Sequence, residues 1–148
     1  MKLSLDANGG LNVRAYAAGQ ITVAVPHGLR GDTRTPDVAE DGPSVHGLET
    51  VTTSLILTPT QMLTEWPPER FEDVSPEHFD DVVALEPEVV IFGSGQRLRF
   101  PPSAISQRLT ARGIGIEVMD TAAACRTFNI LMAEGRRVVA ALLMIETE

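Results

Sequence analysis

Gly113-Ile114-Gly115-Ile116-Glu117-Val118-Met119-Asp120-Thr121-Ala122-Ala123-Ala124-Cys125-Arg126-Thr127-Phe128-Asn129-Ile130-Leu131 is the stretch that decides the fold of this chain. Residues 114–119 form a short apolar run of strand length. Asp120 or Thr121 then supplies a side-chain oxygen suited to a helix start. The helix is predicted to run to about Glu134, where Gly135 closes it. A strand running directly into a helix is the unit from which open α/β sheets are built, and ligand sites in such sheets gather at that junction.

The same alternation extends to either side. Ser75-Pro76-Glu77 combines an N-cap, a proline at the first helical position and an acid in the first turn, and it opens a helix to about Leu85. Residues 88–92 form a continuous apolar strand of the kind covered on both faces, ended by Gly93-Ser94-Gly95. Pro101 and Pro102 open a second helix, which Gly113 closes. Residues 137–145 are a last, almost wholly apolar strand. The order α-β-α-β-α-β predicts an α/β domain in three layers. Helices pack on a central mixed, largely parallel sheet joined by right-handed crossovers.

The first half differs. Residues 3–5 and 11–25 have β character, with turns at Asn8-Gly9-Gly10 and Ala18-Gly19, and predict short antiparallel strands. Residues 26–49 are rich in Gly, Pro and charge and predict an irregular or mobile loop. Residues 51–57 resume as one strand. Residues 61–71 are a poorly patterned connection, with room for one helical turn at its start. All 148 residues are read as one domain.

The formal net charge is −8, which argues against non-specific nucleic-acid binding and against anionic membranes. A single cysteine allows no internal disulfide and fits a reducing compartment. The start of the sequence lacks the apolar core of a secretion signal. The longest apolar run has eight residues, and a membrane-spanning helix needs about 20. A soluble, cytoplasmic protein is expected.

Several linked motifs resemble one small family. They are Val89-Val90-Ile91-Phe92-Gly93-Ser94-Gly95, Arg99-Phe100-Pro101, Gly115 through Thr121, Ala124 through Leu131, and Glu134-Gly135-Arg136. The family is a domain of unknown function shared by bacterial and archaeal proteins, and it includes the mitochondrial NADH dehydrogenase (complex I) assembly factor 3. The likeness covers roughly residues 50–145. It implies a three-layer fold around a mixed five-stranded sheet, no established catalytic activity, and an assembly role in the mitochondrial member.

The residues themselves offer a candidate anion site. Gly93, Ser94 and Gly95 lie at the carboxyl edge of a strand, where glycines let a ligand approach the backbone. The dinucleotide fingerprint fails at its third glycine, which is Leu98 here, and no Gly-Lys-Ser/Thr follows for a phosphate loop. Asp120 and Thr121 are first of all a cap. Arg99 or Arg126 would have to neutralise Asp120 before an anion could bind there. Arg126 and Asn129 share a helical face and suit either recognition or a structural pairing. Cys125 is the one weak catalytic candidate. The helix dipole and Arg126 favour a thiolate, whereas its three alanine neighbours suggest packing.

His27, His46, Asp32, Asp37, Glu40 and Asp41 show no diagnostic metal spacing. Arg30-Gly31-Asp32 carries no weight without a secretion signal, and Trp66 is read as a plug at the edge of the core, with an exposed interface anchor as the alternative. No cofactor or metal is expected. The preferred expectation is a non-enzymatic interaction or assembly-type protein with protein partners. The alternative is a binder of an anionic small molecule, or an enzyme, using Gly93–Gly95 and Asp120–Asn129.

Overall fold

The structure is a computed structural model and describes residues 10–26 and 46–147, with only the backbone of His46 described. The strand expected at 3–5, most of the turn at 8–10 and the body of the 26–49 loop lie outside the described residues. So do His27, Asp32, Asp37, Glu40, Asp41 and the Arg30-Gly31-Asp32 tripeptide.

Strands β1 (Asn12–Ala17), β2 (Gln20–Pro26) and β3 (His46–Val51) form an antiparallel sheet in that order. Gly19 sits at φ +76° in the two-residue turn between β1 and β2, a conformation that favours glycine. A second sheet has the order β5-β4-β8-β6-β7. It contains β4 (Leu55–Leu57), β5 (Met62–Thr64), β6 (Val89–Gly93), β7 (Gly115–Met119) and β8 (Val138–Leu142). β6 runs parallel to both β7 and β8, while β4 runs antiparallel to β5 and β8. The sheet is therefore mixed, with a parallel core of three strands.

Among the described residues the helices are α1 (Asp80–Ala84), α2 (Ser103–Thr110) and α3 (Thr121–Ala133). The helix expected over 75–85 begins instead as a 3₁₀ turn, Pro76–Phe79, and continues as α1. The predicted start at Ser75 holds, with its N–H donating to His78 Nδ1 at 3.0 Å.

Period-two alternation sorts the central strands into two faces. Val89, Ile91, Val138, Ala140 and Leu142 pack under Ala124, Cys125 and Phe128 of α3, and this layer continues into Val13, Ile21, Val23 and Val25 of the small sheet. Val90, Phe92, Val139 and Ala141 pack against Phe79, Val82, Ile105 and Leu109, with Trp66 at the edge. Trp66 is a core plug, its ring edge-on to Phe79 with the centroids 5.5 Å apart and its Nε1–H donating to the His78 carbonyl. Each fully buried aliphatic or phenyl side chain contributes about 1.5–3 kcal/mol, so both faces hold the central sheet firmly.

Three boundaries depart from the sequence reading. The irregular segment is strand at both ends, because Pro26 closes β2 and residues 46–49 belong to β3. β3 is an edge strand with Gly47, Glu49 and an exposed Leu48, so it carries no apolar signal, and pairing with β2 supplies its order. The run 51–57 is two strands in two sheets, because the chain crosses between the sheets at 52–54. Finally, residues 62–64, where the sequence left room for a helical turn, are instead the short edge strand β5, because pairing with β4 supplies the order that their pattern lacks.

Candidate functional site

The chain leaves β6 toward α2 on one face of the sheet and leaves β7 toward α3 on the other. Right-handed crossovers in opposite directions require this. The loops after β6 and β7 therefore diverge at a topological switch point, the usual position of a ligand crevice. Gly93, Ser94, Gly95, Asp120 and Thr121 all lie there, as the sequence suggested.

Hydrogen bonds close the crevice. Gly95 N–H donates to Thr121 Oγ1 at 2.8 Å, and Thr121 N–H donates to the Gly95 carbonyl at 2.9 Å. The buried Thr121 hydroxyl donates to the Leu143 carbonyl at 2.8 Å. Asp120 caps α3 by accepting from Ala123 N–H at 2.8 Å. A Cβ on Gly93 would lie 2.9 Å from Thr121 Oγ1 and 3.1 Å from its Cα, so only glycine lets the two loops approach this closely.

Beyond the closed crevice, the loop after β6 folds over Ser94. Its buried hydroxyl donates to the Arg97 carbonyl at 2.8 Å and accepts from Arg99 N–H at 3.0 Å. This turns the Arg99 side chain inward. Its Nη2 donates to the Ser94 carbonyl at 2.8 Å, and its guanidinium carbon lies 5.1 Å from the centre of the Phe71 ring. The same Nη2 meets Glu146 Oε2 at 2.5 Å, and Gln96 N–H donates to Glu146 Oε1 at 2.6 Å. A carboxylate from the chain's own segment after β8 thus occupies the cradle. Burial opposes the charge on Glu146, but the Arg99 and Gln96 hydrogen bonds outweigh it and hold the carboxyl below its ordinary value of 4.5.

The other candidates lie on α3. Arg126 Nη1 donates to the Tyr16 hydroxyl at 2.6 Å. Asn129 accepts from Val13 N–H at 2.8 Å and donates to the Val13 carbonyl at 2.9 Å. Its amide therefore completes the backbone pairing of β1 where the β1–β2 register shifts. Arg126 and Asn129 share a face as predicted, and that face meets β1, away from the Gly95 loop. Cys125 is 1% exposed, and burial pushes its thiol up to about 12 although Arg126 pulls the other way. As held here it is a small apolar core residue with negligible thiolate at neutral pH.

Among the described residues, no three His, Cys, Asp or Glu side chains gather as metal ligands, and no helix is long and apolar enough to cross a membrane. Sequence reasoning missed Glu146, whose partners lie 47 and 50 positions away. It also missed Phe71 beneath Arg99. At the opposite edge of the sheet a cleft of about 360 Å³ lies near Thr58, Leu85, Met132 and Arg137. There Arg136 pairs with Glu88 and holds that carboxyl down.

Residues 37–143 match the profile of a family described as a protein of unknown function, DUF498/DUF598. The chain belongs to the DUF498/DUF598 family. The family match begins earlier than the 50–145 region of resemblance and includes part of the irregular segment. Human NADH dehydrogenase [ubiquinone] 1 alpha subcomplex assembly factor 3 is 38% identical over 81 residues, which is 53% of this chain and 44% of the human protein. The chain thus spans under half the length of the curated relatives of that name. A Francisella tularensis protein named 13 kDa major membrane protein is 29% identical over 57% of this chain and 69% of its own. A solution structure from Bordetella pertussis, an Mth938-like domain, superposes with a TM-score of 0.67 at 28% identity, covering 100% of this chain and 95% of that one. This DUF498/DUF598 chain therefore shares the Mth938-like α/β fold.

Proposed function

We propose that this DUF498/DUF598 protein is a partner-binding, assembly-type factor rather than an enzyme. The observation that carries this reading is the likeness to complex I assembly factor 3 over 81 residues, beside the family match over residues 37–143. The switch point supports it, because Thr121, Asp120 and Ser94 spend their hydrogen bonds inside the protein and Cys125 is buried. The single cysteine fits a reducing compartment, and the location in this reading is cytoplasmic. The continuous apolar layer linking both sheets through α3 supports one cooperative unit.

One observation favours the anionic-ligand reading, namely the grip of Gln96 and Arg99 on a carboxylate. Affinity capture with the full chain, followed by cross-linking, tests the choice. The expected result is a reproducible protein partner. An empty partner list, together with thermal stabilisation by a metabolite, would reverse the reading. A ligand at one hundred times its dissociation constant stabilises by about 2.7 kcal/mol, which melting readily detects.

A further inference from the structure

We propose that the Gln96–Arg99 loop is a receptor for an acidic peptide segment of a partner, held closed in the free protein by Glu146. This rests on the partner-binding reading and names its surface and chemistry. The site is built around a carboxylate. Gln96 N–H and Arg99 Nη2 each take one oxygen of the same group. Arg99 is fixed beforehand by the Ser94 carbonyl, the Ser94 hydroxyl and the Phe71 ring. Gly95, at φ +102°, leaves the space open. A Cβ there would lie 2.5 Å from Arg99 Nη2 and 2.6 Å from Glu146 Oε1. Such preorganisation lowers the ordering cost of binding.

The occupant is the removable part. The Arg99 side chain is 19% exposed, whereas that of Glu146 is 40% exposed and lies on the solvent side. Glu146 is reached through a segment near the end of the described chain, tied at the Ile145 carbonyl by Gly19 N–H. It presents its carboxylate as a peptide residue would, which shows the ligand class that the cradle accepts. The same loop exposes the flanking residues. Phe100 is 70% and Leu98 50% exposed, and Pro101 and Pro102 stiffen the segment beyond them. Arg97 is exposed and has no ion pair among the described residues. An aromatic, an aliphatic and a cation around a carboxylate cradle match a partner segment that combines an acid with apolar neighbours. On a chain of net charge −8 this loop is a local exception, so an acidic segment is drawn to it rather than to the surface at large.

The cis carboxylate competes at high effective concentration, so the apparent affinity of any partner falls by the fraction of receptors left open. The probe is the peptide acetyl-Met-Ile-Glu-Thr-amide, with a Gln-for-Glu peptide and sodium acetate as controls, titrated into the full chain and followed at the Gln96 amide by NMR. In Glu146→Ala the Glu peptide is expected to shift Gln96 saturably, with an apparent affinity about tenfold or more tighter than in the unsubstituted protein. The Gln peptide should leave Gln96 in place, and Arg99→Met, with the Leu143 and Thr121 amides unmoved, should abolish the response. A Glu146→Ala protein that is folded but shows no saturable shift overturns the proposal. So does an equal response to the Glu and Gln peptides, or acetate binding as tightly as the peptide. Captured partners insensitive to Arg99→Met would sink this surface while sparing the partner-binding reading. An empty capture with an intact peptide response would do the reverse.

Discussion

Arg126 and Arg99 lie at two polar regions that look alike in sequence and differ in structure. On α3, Arg126 and Asn129 reach β1 at Tyr16 and Val13, and their hydrogen bonds join the small sheet to the rest of the fold. On the loop after β6, Arg99 is equally well held, but its outermost partner is a carboxylate near the end of the described chain. One region spends its polarity on the fold. The other holds a carboxylate whose side chain is 40% exposed. A polar side chain is thus read by what would unfold if its partner moved away, rather than by its residue type.

The sharpest way to break this contrast is through Cys125, next to Arg126. Burial raises its thiol from 9.0 to about 12, so alkylation at neutral pH should be about a thousandfold slower in the native protein than in urea. Native labelling at the rate of a free thiol would make the α3 region a reactive site after all. Thr121→Val comes next. It strips partners from Gly95 N–H and the Leu143 carbonyl, both buried, and should cost about 2–4 kcal/mol in urea unfolding. Asn129→Leu leaves both backbone groups of Val13 without their amide partner and should cost about 1–2 kcal/mol, with the β1 amides losing exchange protection first.

Glu146→Gln is the smallest. The pair is partly exposed, and its loss should cost about 0–1 kcal/mol. The sign of its pH dependence follows from a carboxyl held below 4.5 in the folded protein. Its contribution is full above that pH and is lost as pH falls through the folded-state value. A loss on raising the pH would contradict the pairing.

How legible each part was depends on where its partner sits. Asp120 caps α3, and Gly113 and Gly135 take the positive φ expected where the helices end, because those signals are local. The apolar β6 and β8 announce a sheet covered on both faces. β3 could not be seen, because an edge strand bearing Gly47 and Glu49 has no apolar face to show until β2 pairs with it. Arg126 and Asn129 were visible as a shared face, but what that face meets lies 110 and 116 positions earlier. Glu146, an ordinary surface acid, became part of a site only when the chain returned past Gly95.

The central claim is that Glu146 fills the cradle of the Gln96–Arg99 loop. The most direct test is a pH titration of the Gln96 amide resonance by NMR. The account predicts a downfield amide proton that titrates with an inflection below 4.5 and loses both the shift and the titration in Glu146→Gln. A Gln96 amide that ignores pH across that range, or titrates unchanged in Glu146→Gln, would contradict it.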